Sequence, residues 1–173
     1  MCIRDRSGIC TALSVDKADV VKAWRGILCG RLDTHESSKD AARSGTRVDG
    51  EHRPSNRGER AAVTTQGYLA HAFGERSLAL QTSIEQLDAM GLGTRDEVVI
   101  GALLTLVIDD DAPQTFALLP GGDATVIDIA DQEITVLSAA SPLARQLRDA
   151  EVDDVVEVEI GPRISEVHLI ALS

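Results

Sequence analysis

The stretch SPLARQLRDAEVDDVVEVEIGPRISEVHLIALS, residues 141–173, changes period as it runs and sets the fold of the carboxyl-terminal half. Ser141 before Pro142 is a helix start, an N-cap hydroxyl followed by proline at the first helical position. Leu143 and Leu147 lie four apart on one face of the short helix expected over 141–149. Asp153-Asp154 marks a polar turn. Beyond it the period is two. Val156, Val158 and Ile160 alternate with Glu157 and Glu159. After Gly161-Pro162, Val167, Leu169 and Ala171 alternate with Glu166 and His168, an alternation weakened by the apolar Ile170. A short helix feeding alternating strands predicts a half-exposed antiparallel sheet in an α+β domain.

Upstream, Val98–Ile108 reads as a long apolar strand and Asp109–Pro113 as a turn. Gln114–Leu119 pairs back as a hairpin, Pro120-Gly121-Gly122 turns again, and Val126–Ala130 and Ile134–Leu137 are short strands. Residues 91–97, GLGTRDE, are a glycine-containing linker. Before it the period is helical. From Asp16 to about Arg43, Val20, Trp24, Leu28 and Leu32 recur every four residues. From Glu59 to Met90, Leu69, Phe73, Leu80, Ile84 and Leu87 line one face, with the alkyl stem of Arg76 filling the gap. Between them, residues 44–58, SGTRVDGEHRPSNRG, lose the period and carry Gly45, Gly50, Pro54 and Gly58. Two amphipathic helices joined by a polar tip predict an antiparallel helical hairpin over 15–90. Residues 1–14 lack any clear period and read as a leader outside the fold.

Charge divides the chain in the same place. Residues 1–90 are nearly neutral, with 13 Lys/Arg against 12 Asp/Glu, whereas 91–173 carry 4 against 16. A chain of net charge −11 is unsuited to gripping phosphates over a broad basic surface. Its only aromatics are Trp24, Tyr68, Phe73 and Phe116, too few for a base-stacking platform or an aromatic-walled pocket. The three cysteines, Cys2, Cys10 and Cys29, form no C-x-x-C, and the four histidines no H-x-x-x-H, so neither a disulfide framework nor a zinc site is expected. Cys29 reads as a small buried apolar residue. Asp109-Asp110-Asp111 lacks a calcium-loop spacing and reads as a turn, and there is no P-loop or G-x-S-x-G. No apolar run reaches the ~18–20 residues of a membrane span. The start lacks the apolar core of a signal peptide, so a cytoplasmic protein is expected.

Several of these segments resemble the bacterial transcript cleavage factors GreA and GreB. SPLARQL at 141–147 and VDDVVEVEI at 152–160 are similar to that family's last helix and following strand. VVIGALLTLVID at 98–109 is similar to its opening strand, and AAVTTQGYL at 61–69 to the start of its second coiled-coil arm. The resemblance implies a coiled-coil hairpin followed by an FKBP-like domain over 98–173. It implies a monomeric partner of bacterial RNA polymerase that meets nascent RNA only inside the polymerase channel. The hairpin would enter the secondary channel and the globular domain would dock on its rim. Tip carboxylates would share a Mg²⁺ with the polymerase, which itself cuts backtracked RNA. The chain would bind no cofactor tightly and would not be an enzyme alone.

At the tip this chain departs from the family's D-x-x-E-N. The aligned residues are His52-Arg53-Pro54-Ser55-Asn56, so Asn56 is retained while His52 and Ser55 replace both acids. Asp49, Glu51 and Glu59 lie nearby as candidate metal-binding carboxylates. Rim contact carries over to Ser141 and Pro142, preceded by Ala140 where the family can have an acid. Arg47, Arg53, Arg57 and Arg60 flank the tip, suited to attracting RNA phosphates. Without the two acids, the alternative is a channel regulator that binds or inhibits the polymerase but does not promote cleavage. Prolyl isomerisation, suggested by an FKBP-like fold, lacks aromatic pocket walls here, since Phe116 is the domain's single aromatic.

Overall fold

A computed structural model describes residues 15–46 and 57–173. The leader and tip residues 47–56 lie outside it. Helix α1 spans Lys17–Thr46 and α2 spans Arg57–Ala89. Helix therefore extends into residues 44–46 and 57–58, expected to be loop. The arms are about 45 and 50 Å long at 1.5 Å per residue. Their facing pairs run in opposite chain directions. The Arg25 guanidinium donates to both oxygens of Asp88 at 2.7 and 3.0 Å. Gln81 Nε2 donates to Glu36 at 3.4 Å, and the rings of His35 and Phe73 lie 5.9 Å apart.

On α2 the side chains turned from solvent include, with Ser83 beside them, Val63, Gln66, Ala70, Phe73, Ser77, Leu80, Ile84 and Leu87. They alternate steps of three and four, the spacing of a coiled-coil seam. This corrects the sequence reading in two places. Leu69 is 43% exposed, and Arg76 lies outside the seam. The gap is filled by Ser77, whose hydroxyl donates to the Phe73 carbonyl at 2.9 Å and so enters the seam with its donor satisfied. Steps of four drift off a seam that averages 3.5 residues per turn, which is why Leu69 was misplaced. Cys29 is half-buried rather than buried, and its sulfur accepts an N–H from Arg25 at 3.8 Å. The hydrogen bonds from Arg25, followed by its charge, hold the Asp88 carboxyl below the usual aspartate range. Its contribution to stability is therefore present above the unfolded-state pKa and lost as pH falls through the lower folded value.

Six strands follow: β1 (Leu103–Ile108), β2 (Gln114–Leu118), β3 (Thr125–Ile129), β4 (Gln132–Leu137), β5 (Val155–Ile160) and β6 (Arg163–Leu172). The short helix α3 (Pro142–Gln146) precedes β5. They form one sheet in the order β3-β4-β2-β1-β6-β5. The expected antiparallel sheet is mixed, because β2 and β4 pair in parallel. The two-residue turn at Ala130-Asp131, both at positive φ (51° and 61°), makes β3 and β4 an antiparallel hairpin, and this hairpin sits with β4 beside β2 and β3 at the edge. The first strand is also shorter than expected. Residues 98–101 turn, and Gly101 adopts a φ of +92° against the Met90 sulfur, 3.1 Å from where a Cβ would sit. The strand begins only after this break.

The middle of the sheet is buried on both faces. Leu104, Leu106, Phe116, Leu118, Val167 and Leu169 pack with Ala144 of α3 and its C-cap Leu147. On the other face Leu103, Ala117, Ile134 and Val136 are 2% exposed or less. The half-exposed sheet inferred from the last two strands holds along both of them: Glu157, Glu159, Ile164 and Glu166 face solvent, whereas Val158, Ser165, Val167 and Leu169 are buried. The continuous apolar run of β1 is the pattern of a strand covered on both sides.

The described residues divide into two units, one of Met90–Ser173 with the chain up to Trp24, the other of Arg25–Ala89. The first two turns of α1 therefore belong with the sheet. Val20 and Trp24 are fully buried there, and the Trp24 indole N–H donates to the Pro120 carbonyl at 2.9 Å. The linker is held in the same unit. Lys17 donates to the Gly93 carbonyl at 2.8 Å and Arg95 to the Gly91 carbonyl at 3.3 Å. Burial, followed by the charge of Arg95, pushes the Lys17 ammonium below the usual lysine value. Trp24→Phe keeps most of the apolar burial but leaves the Pro120 carbonyl without its indole donor and opens a small void. It should cost about 2–3 kcal/mol in urea unfolding followed by circular dichroism.

Candidate docking site and hairpin tip

Two regions carry the residues expected to act. At the tip, Asp49, Glu51 and Asn56, with His52 and Ser55, lie outside the described residues. Glu59 sits in the first turn of α2, and Arg57 and Arg60 beside it are exposed. Among the described residues no group of three or more His, Cys, Asp or Glu is placed to hold a metal ion. Asp109 has a different task, tying the β1–β2 turn to β6 by accepting the Glu166 N–H at 2.9 Å.

The second region is built around α3. Ser141 is the N-cap, with extended backbone (φ −61°, ψ 148°), and its hydroxyl accepts the Ala144 N–H at 3.2 Å. Pro142 follows in the first turn, where its missing N–H costs nothing. The two residues expected to meet a partner therefore hold the start of α3, and Pro142 is exposed. Gln146, one turn on, fixes the helix to the sheet edge. Its Oε1 accepts the Glu159 N–H at 2.9 Å, and its Nε2 donates to the Glu159 carbonyl at 3.4 Å. The side-chain amide thereby occupies part of the open hydrogen-bonding edge of β5, which guards against strand addition there.

Beside Ser141 and Pro142 lies an open groove of about 430 Å³, mostly apolar, walled by Leu137 and Leu143 and rimmed by Asp123 and Glu159. Gly122 forms one side of it. A Cβ at Gly122 would sit 2.2 Å from the Leu137 carbonyl carbon and 2.6 Å from the Ser138 nitrogen, so the Pro120-Gly121-Gly122 turn can lie against β4 only without a side chain. The sequence marked this triplet as a turn but gave no sign of the close approach or of the groove. Gly122→Ala should destabilise the protein by at least about 2 kcal/mol in urea unfolding, because backbone must shift to relieve the overlap.

An antiparallel helical hairpin followed by a six-stranded sheet with one capped short helix defines the architecture. No protein-family model matches the chain, and no curated protein does. Among solved structures, it is similar to the GreA factor homolog 1 (Gfh1) of Thermus thermophilus, at 15% identity over 86% of this chain and 94% of that one, with a TM-score of 0.35. It is similar to Gfh1 of Thermus aquaticus at 16% identity over 87% and 94%, with a TM-score of 0.36. A third structure, of the transcription factor Gfh1, gives 17% identity over 86% and 92%, with a TM-score of 0.36.

Proposed function

We propose that this protein is a transcription factor of the GreA/GreB kind, which binds bacterial RNA polymerase as a monomer and acts from the secondary channel. What carries the reading is the joint placement of the resembling segments. SPLARQL forms the capped helix α3, VDDVVEVEI leads into the edge strand β5, and AAVTTQGYL lies in the tip-proximal part of the second arm. Each segment taken alone is a weak signal. Their order along one chain, with two arms of about 30 residues preceding the sheet, is a specific combination.

In this reading the arms carry the tip into the channel and the α3 region rests on the channel rim. Asp49, Glu51 and Glu59 would donate carboxylate oxygens to a Mg²⁺ shared with the polymerase. A second divalent ion in that site favours hydrolysis by stabilising the attacking and leaving oxygens of the phosphodiester. The chain's own work is to hold carboxylates at the end of a stiff arm, while bond cleavage remains with the polymerase. Arg57 and Arg60, exposed at the start of α2, would attract RNA phosphates into position. The acidic sheet domain would stay outside the channel, its charge opposing general adhesion to nucleic acid.

His52 and Ser55 favour a second reading, a factor that occupies the channel without promoting cleavage. Oxygen ligands are what Mg²⁺ requires, and neither residue supplies a carboxylate. The experiment uses a purified bacterial RNA polymerase stalled in a backtracked complex, with Mg²⁺ and the RNA 3′ end followed on a gel. The cleavage reading predicts shortened RNA with the native chain, and loss of shortening but not of binding when Asp49, Glu51 and Glu59 are all changed to Ala. Intact RNA combined with displacement of a known secondary-channel factor would establish the non-cleaving reading. Intact RNA without displacement would refute both.

A further inference from the structure

The sheet domain is strongly acidic, and residues 91–173 contain only four basic side chains, Arg95, Arg145, Arg148 and Arg163. Two of the four line a single open cleft of about 610 Å³, on which Ala139 and Ala140 present no charge. Arg145 stands in the last turn of α3 and Arg148 three residues on. Both are exposed, and among the described residues neither guanidinium has a hydrogen-bond or ion-pair partner. Sixteen carboxylates in the same segment offer ample opportunity for pairing. One arginine near a helix end is accounted for by the helix dipole, but a five-residue helix has little dipole, and Arg148 lies beyond it. Two unpaired cations lining one cleft of an acidic domain make no stabilising pair among the described residues.

We propose that Arg145 and Arg148 form an acceptor cleft for carboxylate side chains on the polymerase surface that meets α3. The inference rests on the polymerase-binding reading above and gives the chemistry of the contact. The fork of a guanidinium suits bidentate pairing with carboxylates. A phosphate backbone would offer the same local chemistry, but a long polyanion would also meet the field of the surrounding acidic residues. A compact acidic patch on a folded protein meets only the two arginines. Together with the apolar groove by Pro142, the cleft asks for a partner that presents an apolar side chain beside a cluster of Asp or Glu.

The test is the affinity of the full chain for purified bacterial core RNA polymerase, read by biolayer interferometry at low and at raised salt. R145E/R148E should weaken binding about tenfold or more at low salt, with the difference shrinking as salt rises. R163E, which makes a charge reversal at the β5–β6 turn, should change it less than about twofold. Thermal melting of R145E/R148E checks the fold. Should its transition be lost, R145Q/R148Q replaces it and should still weaken binding severalfold. An equal effect of R163E per charge would show mere net-charge repulsion and overturn the proposal, as would unchanged affinity of R145E/R148E. So would a loss confined to binding of a single-stranded RNA oligomer. Failure of the native chain to bind polymerase at all would overturn the polymerase reading itself and this inference with it.

Discussion

The burial of Trp24 is the constraint on which the rest depends. A helix begun by Asp16, whose carboxylate accepts the Ala18 N–H at 3.0 Å, would be expected to belong wholly to the hairpin. Instead its first two turns belong to the sheet unit, because the indole is fully buried and donates to the Pro120 carbonyl. Pro120 opens the turn that carries Gly121 and Gly122, and Gly122 lies against the backbone of β4 with no room for a Cβ. A single side chain thus bonds to the same turn that walls the groove beside Ser141 and Pro142. A buried polar contact of this kind adds little net stability by itself, yet it fixes the start of α1 against the Pro120 turn, since the alternatives leave the carbonyl or the indole N–H unpaired.

Much of the fold could be read from the sequence, and the reasons are specific. Ser141-Pro142 carries its own chemistry, a cap hydroxyl and a pre-set φ, and the structure uses both. The alternation from Val156 to Ile160 is a strand in any context that covers one face. The failures arise where tertiary contacts decide. β2 and β4 pair in parallel because β4 rather than β3 lies beside β2, a choice that no local signal marks, since the hairpin at Ala130-Asp131 is the same whichever of its strands is inside. The opening strand is cut short at Gly101, the one residue in that apolar run that breaks the strand pattern. The seam of α2 passes through Ser77 instead of Arg76, which hydropathy alone would not select.

The functional regions divide in the same way. The capping role of Ser141 and Pro142 was legible because it is local. The groove formed with Gly122 and the arginine cleft formed by Arg145 and Arg148 draw on residues whose proximity or lack of partners emerges only in three dimensions. Charge segregation along the chain had already suggested a division of labour, with a nearly neutral arm and an acidic domain. Within that acidic domain, the concentration of two of its four basic residues on one cleft gives the segregation a finer grain.

The central claim is that the tip of the hairpin reaches the polymerase active site. The most direct measurement places a photo-crosslinking amino acid at Arg57, in the first turn of α2, and irradiates the full chain bound to a backtracked bacterial RNA polymerase complex. The account predicts crosslinks to the channel-lining subunits and to the extruded RNA 3′ segment, abolished by a competing secondary-channel factor. Crosslinks confined to the outer surface of the polymerase, or none above those of the chain mixed with free RNA, would contradict it.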